Sequence, residues 1–152
     1  MPDHPSPQAS LGHFSLPQER KSLTHRFSIG TFKAYITVGL YGDGKPGELY
    51  ITTSKQGSEI SGMCQALAIS ISIGLQSGVP LERYIEKFKH MRFEPMGFTN
   101  NSDIHIAKSI MDYIARWLEN KFVADMQPKQ IEVSGGASIQ QASVAMGCKS
   151  DR

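Results

Sequence analysis

The sequence predicts an α+β domain in which a three-stranded antiparallel meander is followed by three helices packed on one face of the sheet. Three short segments, at about 24–29, 33–40 and 48–53, are rich in β-branched and aromatic residues, which favour strands. The later part of the chain instead carries apolar residues at helical spacing. Strands followed by helices are typical of an α+β architecture.

The middle strand shows the clearest alternation, because Ile36, Val38 and Leu40 are separated by residues that would face the other side of the sheet. The first connection is a tight turn at residues 30–31. The second is a longer loop at residues 42–47, whose glycines permit a positive φ. These short connections predict antiparallel pairing of neighbouring strands.

The first helix is predicted over about 59–76, with Ser58 or Ser61 available to cap its free amides. Apolar residues occur on more than one side of it, so we expect this helix to be buried nearly all round. Small residues along one side would let a neighbouring helix or a second subunit approach closely. They are Ala66, Ala68, Ser70, Ser72 and Gly74.

The other two helices follow from start and stop signals. Gly78 ends the first helix, and Pro80 opens a second helix that has one apolar stripe and one charged face. The third helix is predicted to begin at Asn101 or Ser102, since either side chain is a good helix cap. Its apolar side is expected to include Trp117.

The two ends of the chain differ in composition from its centre. Residues 1–21 are rich in Pro, Ser, Gln and His and are interpreted as a flexible arm. Residues 124–152 contain two adjacent glycines and no aromatic residue, and are interpreted as a disordered tail. One α+β domain is therefore predicted over residues 22–123.

The length, net charge and hydropathy of the chain limit the classes of function that it can have. The 152 residues suffice for one modest domain. A formal net charge of +2 gives no support for nucleic-acid binding. The sequence has no apolar run long enough to cross a bilayer, and its start lacks the basic-then-apolar order of a secretory signal. We expect a cytoplasmic protein with reduced thiols and no membrane partner.

Three blocks of sequence carry a resemblance to a known family. The blocks are residues 35–48, 90–103 and 106–114. In this order, they closely resemble the carboxy-terminal accessory domain, called the TSCPD domain, of adenosylcobalamin-dependent (class II) ribonucleotide reductases. The resemblance extends from about Leu16 to about Leu118, so residues 22–123 are interpreted as a TSCPD-like domain.

This resemblance implies an accessory role in deoxyribonucleotide synthesis. Reductases of that family need a radical-forming cysteine, a reducing cysteine pair and a cofactor site, whereas this chain has two cysteines. We therefore expect no catalytic residue here. The expected role is that of an accessory domain or subunit of ribonucleoside-diphosphate reductase, an oxidoreductase. A separate catalytic chain is the expected partner, and adenosylcobalamin is expected to bind that partner.

Six residues are candidates for binding a ligand. The planar fork of an arginine can grip a phosphate, and the residues before the predicted third helix would lie near its free amides. An Arg92–Glu94 or Arg92–Asp103 ion pair and ordinary helix capping explain the same residues without a ligand. The candidates are Arg92, Glu94, Thr99, Asn100, Asn101 and Lys108.

These residues support an alternative function, an independent homodimeric module that binds a nucleotide or another anion. A third interpretation, an inactive remnant of a reductase gene, is disfavoured by the intact pattern of caps, turns and core residues. Nucleotide-induced stabilisation of the isolated chain would favour the binding module.

Cysteine and histidine positions argue against metal or thiol chemistry. The family is named for Thr-Ser-Cys-Pro-Asp, but residues 99–103 read Thr-Asn-Asn-Ser-Asp, so a metal or thiol role does not carry over. Cys64 is expected to be buried with a raised thiol pKa. The lone Cys148 cannot form the intramolecular disulfide of a redox shuttle. The histidines are too scattered to predict a metal site.

Overall fold

A computed structural model describes residues 12–55 and 57–124 of the chain. The predicted tail after Ala124 and the first part of the predicted arm lie outside these residues. The strands are β1 (Ser22–Ile29), β2 (Phe32–Leu40), β3 (Pro46–Thr53), β4 (Gly97–Phe98) and β5 (Ile106–Ala107). The helices are α1 (Glu59–Gln76), α2 (Leu81–Phe88) and α3 (Ile110–Leu118), and a π-helical turn follows over Glu119–Val123.

The predicted meander is confirmed. Strands β1, β2 and β3 form an antiparallel sheet in that order, with Phe27 opposite Ala34 and Ile36 opposite Ile51. These four residues are buried and belong to one hydrophobic core that also contains residues of all three helices. The opposite face of the sheet includes the exposed Tyr50. The predicted α+β class, with a three-stranded antiparallel sheet followed by three helices, is therefore confirmed.

Helix α1 begins and ends where the sequence predicts. The hydroxyl of Ser58 accepts a hydrogen bond from the amide of Ser61 at 3.2 Å, so Ser58 is the cap. The helix lies along β3, where the Ser72 hydroxyl accepts a hydrogen bond from the Leu49 amide at 2.9 Å. An outward-facing amide of an edge strand is thereby satisfied by a helix side chain.

The prediction that α1 is buried nearly all round is wrong. Its side chains Met63, Ile69 and Ile73 are 73%, 59% and 61% exposed. Helix α3 is the enclosed one, because every residue in it except Arg116 is buried. The reason is position: α1 lies beside the edge of the sheet, whereas α3 contacts β1 on one side and α2 on another.

The predicted start of the third helix is also wrong. Helix α3 begins at Ile110, and the Ser109 hydroxyl caps it by accepting a hydrogen bond from the Asp112 amide at 3.0 Å. The stretch that contains Asn101 and Ser102 instead connects β4 to β5. Its polar side chains are good helix caps, but here they bond within the connection and to neighbouring elements.

Four aromatic rings join β1 to α3. The ring of Tyr113 stacks on Phe27 at 4.4 Å, and the ring of Trp117 stacks on His25 at 4.9 Å. Phe27 and His25 lie 6.5 Å apart on the same strand, and Tyr113 lies 6.1 Å from His25. Each of these pairs is within 12° of parallel, so two rings of the strand face two rings of the helix. The His25 Nε2 atom and the Tyr113 hydroxyl are hydrogen-bonded at 2.9 Å. This stack of two ring pairs holds the helix on the sheet.

The described part of the predicted arm, residues 12–21, contacts the domain. The Phe14 amide donates to the carbonyl of Gln76 at 2.7 Å, next to the end of α1. The Arg20 guanidinium contacts the Glu48 carboxylate at 2.5 Å on β3. These contacts join the arm to both the helix and the sheet.

We predict that acid destabilises the fold through His25. Burial, with a smaller effect from Lys121, lowers the pKa of His25 from its ordinary value of 6.5, so the folded state favours the neutral ring. Protonation below pH 6.5 therefore favours the unfolded chain, and the free energy of unfolding should fall as the pH decreases from 7.5 to 5.

Urea denaturation across this pH range measures the effect. His25→Phe keeps a ring in the stack and cannot titrate, so its stability should decline less steeply with acid. The exposed His105 provides the matched control, His105→Phe, which should keep the wild-type pH dependence. Identical slopes for wild type and His25→Phe would contradict the prediction.

Candidate functional site

All six predicted ligand residues lie between α2 and α3. We call residues 90–108 the loop surface; it contains an irregular segment and the β4–β5 hairpin. The hairpin continues towards the sheet, since the Gly30 amide donates to the carbonyl of Phe98 at 2.9 Å. The loop surface is therefore held beside the edge of β1.

One buried carboxylate fixes both ends of the loop surface. Asp112, which is 0% exposed, accepts a hydrogen bond from the His90 amide at 2.8 Å through Oδ1. Its Oδ2 accepts one from the Lys108 amide at 3.0 Å. The Ser109 hydroxyl adds a third tie by donating to the carbonyl of Met91 at 2.7 Å. The first and last residues of the surface thus bond to a single side chain.

The buried charge of Asp112 is compensated by Arg116, four residues later on the same helix. The Arg116 Nη1 atom lies 3.5 Å from Oδ2 of Asp112. The same nitrogen donates to the carbonyl of Ile106 at 2.8 Å, which connects the ion pair to β5. A buried carboxylate needs such partners, because an unpaired charge in a protein interior is very costly.

His90 has a backbone conformation that side chains disfavour. Its φ is +72°, in the left-handed region that glycine adopts most easily. The Asp112 hydrogen bond to its amide holds the backbone there. The sharp change of direction after α2 therefore depends on an interaction from α3, and local sequence does not predict it.

The polar side chains of the hairpin form hydrogen bonds with other parts of the described chain. The Thr99 hydroxyl donates to the carbonyl of Ile104, and the side-chain oxygen of Asn100 accepts from the Ser28 amide at 2.7 Å. The Asn101 amide group donates to the Tyr113 hydroxyl at 3.0 Å. Ligand binding by Thr99, Asn100 and Asn101 stays a prediction, but the helix start on which it was based lies elsewhere.

The charged candidates are exposed. Arg92 forms an ion pair with neither Glu94 nor Asp103 in the described structure, so both predicted pairs are wrong. The Glu94 carboxylate accepts a hydrogen bond from the Met96 amide at 3.1 Å instead. Lys108 contributes its backbone to the loop and has an exposed side chain. A ligand role for Arg92, Glu94 and Lys108 stays a prediction.

One groove lies away from these residues. Its volume is about 620 Å³, and its walls include Phe14, Tyr41, Leu75 and Phe122. A second groove of about 500 Å³ includes one candidate, Glu94, in its walls. The six predicted residues therefore do not converge on a shared cavity.

Sequence reasoning missed the apolar character of the loop surface. Phe98 and Ile106 face each other across β4 and β5, and they are 76% and 53% exposed. Met91 and Phe93 are also exposed, at 41% and 38%, and the Phe93 amide donates to the carbonyl of Lys108 at 3.2 Å. The sequence did contain a signal for this apolar surface, because apolar residues occur there in a segment that has neither helical nor strand periodicity. Exposed apolar patches of this kind are typical of binding surfaces.

The described chain brings no reactive thiol or metal ligands together. Cys64 is buried on α1, and burial raises the pKa of its thiol, as predicted. Cys148 lies outside the described residues. Within residues 12–55 and 57–124, no three His, Cys, Asp or Glu side chains are grouped as metal ligands. None of the described helices has the length and hydropathy to span a bilayer.

The sheet, the enclosed helix α3 and the loop surface fixed by Asp112 define a small α+β domain that presents an apolar face. The family model of the TSCPD domain matches residues 7–122. The chain therefore belongs to the TSCPD domain family. No solved structure is significantly similar to it.

The curated relatives are much longer proteins. The chain is 55% identical over 109 residues to a vitamin B12-dependent ribonucleotide reductase of Rhodopirellula baltica, covering 72% of this chain and 10% of that protein. A protein of the same name from Streptantibioticus cattleyicolor is 46% identical over 108 residues, which cover 71% of this chain and 18% of that protein. The chain thus spans between a tenth and a fifth of these two relatives.

We predict that Asp112→Ala releases both ends of the loop surface. Two part-buried amides lose their acceptor, and at roughly 1–3 kcal/mol each the free energy of unfolding should fall by about 2–6 kcal/mol. Urea denaturation measures the loss, and hydrogen exchange should accelerate at the amides of His90 and Lys108. The exposed Asp43→Ala is the matched control and should change neither quantity appreciably. Unchanged exchange at both amides in Asp112→Ala would contradict the assigned role.

Proposed function

We propose that this chain supplies the TSCPD accessory domain to a separate catalytic chain of a vitamin B12-dependent ribonucleotide reductase. The observation that supports this best is the 55% identity to a segment amounting to 10% of the Rhodopirellula baltica protein. In that protein the matching segment is covalently joined to the remaining nine tenths. In this proposal, a separate catalytic chain supplies the parts of that protein that this chain does not match.

The cofactor belongs to the catalytic partner in this proposal. The relatives are named for dependence on vitamin B12, and this chain matches only a small part of each. Adenosylcobalamin is therefore assigned to the part that this chain does not match. The contribution of this chain is to bind and position, and ribonucleotide reduction takes place on the partner.

The loop surface is the proposed contact with the catalytic chain. Phe98 and Ile106 would lose their exposure to water on binding, and such burial is the main driving force of protein association. An exposed aromatic side chain near the centre of a patch is a typical anchor. Arg92 and Lys108 add positive charge beside the patch, which would steer a partner surface with acidic groups.

Rigidity of the loop surface would contribute to affinity. Asp112 and the hydrogen bonds of the hairpin fix the backbone before any partner arrives. A surface already in its binding conformation loses less conformational entropy on association. The hydrogen bonds of Thr99, Asn100 and Asn101 within the chain have a function in this proposal, because they shape the face on which Phe98 is exposed.

Co-purification with the catalytic chain and a turnover assay test the proposed function. We expect a complex, and we expect faster or more sustained ribonucleotide reduction when this chain is present. No complex together with unchanged turnover would overturn the proposal.

Two exposed aromatic residues allow a matched test of the contact surface. Phe98→Ser removes the proposed anchor and should weaken the complex at least about tenfold, the change expected for an interface hot spot. Tyr50→Ser removes an aromatic side chain that is 53% exposed on the outer face of the sheet and should leave the affinity unchanged. Equal losses in the two variants would place the contact elsewhere, even if the complex itself forms.

A further inference from the structure

Two consecutive hydrogen bonds connect the sheet to the loop surface through the Tyr113 hydroxyl. On one side, this hydroxyl lies 2.9 Å from the Nε2 atom of His25 on β1. On the other side, it accepts a hydrogen bond at 3.0 Å from the side-chain amide of Asn101, which lies between β4 and β5. Tyr113 is 0% exposed, so bulk water does not reach its hydroxyl. We call the side chains of His25, Tyr113 and Asn101 the tyrosine relay.

The hydrogens of the tyrosine relay have one favourable direction. The Oδ1 atom of Asn101 accepts a hydrogen bond from the Asp103 amide at 3.0 Å, so the NH2 group of the same side chain faces Tyr113 and donates to it. The hydroxyl hydrogen of Tyr113 is then left for His25, whose Nε2 atom must accept it. Only a neutral imidazole has a nitrogen that accepts a hydrogen bond. The tyrosine relay therefore requires a neutral His25 with its hydrogen on Nδ1.

The surroundings of His25 favour the neutral ring. Burial lowers the pKa of His25, and the positive charge of Lys121 in the π-helical turn lowers it further. The uncharged ring of Trp117 stacks on His25 at 4.9 Å. Burial and, to a smaller extent, the charge of Asp103 raise the pKa of the Tyr113 hydroxyl, so this group keeps its hydrogen. The direction of the hydrogen bonds is therefore fixed at pH 7.5.

We propose that protonation of His25 loosens the loop surface through Tyr113 and thereby weakens its contact with the catalytic chain, a regulatory step that rests on the proposed function. A protonated ring carries a hydrogen on Nε2 and donates it to the Tyr113 oxygen. The hydroxyl hydrogen of Tyr113 then loses its acceptor. The side chain of Asn101 has one oxygen to offer instead, and that oxygen turns towards Tyr113 only by releasing the Asp103 amide.

Both responses to protonation weaken the β4–β5 hairpin. A buried hydroxyl hydrogen without an acceptor costs free energy, and release of the Asp103 amide opens the turn that Asn101 forms. The backbone carbonyl of Asn101 also accepts a hydrogen bond from the Ile104 amide at 3.2 Å, so this residue holds the connection at two points. Phe98 lies in the same hairpin. A less ordered hairpin loses more conformational entropy when it binds a partner, so its affinity decreases.

The isolated full-length chain gives two separate measurements between pH 7.5 and 5. Trp117 is the single tryptophan and stacks on His25, so its fluorescence should decrease as the ring becomes charged. Hydrogen exchange at the Asp103 amide measures the response of the hairpin. Its protection factor, which corrects for the direct effect of pH on exchange, should fall at least about fivefold over the same pH range. The Ser61 amide also bonds a side chain, lies on α1 and should keep its protection factor.

Tyr113→Phe removes the hydroxyl and keeps the aromatic ring. His25 still titrates in this variant, so the fluorescence change should persist, whereas the protection factor of the Asp103 amide should no longer depend on pH. The exposed His90 and His105 are unchanged, so an effect that originates at either of them would remain. Urea denaturation establishes that the variant is folded.

His25→Phe provides a second test, because its ring cannot titrate and the protection factor of the Asp103 amide should again be constant. Three results would each overturn the tyrosine relay: a constant protection factor in wild type, an equal fall at the Ser61 amide, or a persistent fall in both Tyr113→Phe and His25→Phe.

The regulatory step is measured with the catalytic chain present. Between pH 7.5 and 5, wild type should lose more affinity for that chain than His25→Phe does, and equal losses would overturn the step. Absence of a complex at every pH would contradict the proposed function and this step with it. The exchange measurements on the isolated chain decide the tyrosine relay by themselves, so the two failures are distinguishable.

Discussion

The structure depends on the buried carboxylate of Asp112. A charge with no access to water is tolerated only where donors surround it, and here the amides of His90 and Lys108 and the guanidinium of Arg116 do so. The donors come from the second residue after α2, from the second residue before α3 and from α3 itself. A single side chain therefore specifies where an otherwise irregular stretch begins and ends.

Helix α3 carries both this carboxylate and the aromatic rings that pack on the sheet. Asp112 and Tyr113 are neighbours in sequence and face different elements, so the loop and the sheet are positioned by consecutive residues. The Tyr113 hydroxyl also bonds His25 of β1 and Asn101 of the hairpin, which connects the two sides directly. This double role explains why α3 is enclosed although it is only nine residues long. Two adjacent residues of α3 therefore hold together parts of the fold that are far apart in the sequence.

The sequence predicted what local chemistry determines. The bounds of α1 and its Ser58 cap were correct, since a cap and a run of helical spacing are read from neighbouring residues. The start of α3 was missed, because Asn101 has the chemistry of a cap but bonds Tyr113 in the folded chain. The burial of α1 and the exposure of Phe98 were missed for a related reason. Both depend on which elements pack nearby, and one sequence does not reveal that.

Hydrogen bonds to the outward amides of the two edge strands affect how the chain behaves at high concentration. The Ser72 hydroxyl accepts a hydrogen bond from the outward amide of Leu49 on β3. The Asn100 side chain accepts one from the amide of Ser28 near the end of β1. Strand margins with free amides are templates on which other chains add and fibrils grow. Side chains that occupy these donors remove one such template position on each side of the meander. Adding a strand at either position should then be less favourable than at an edge whose amides are free.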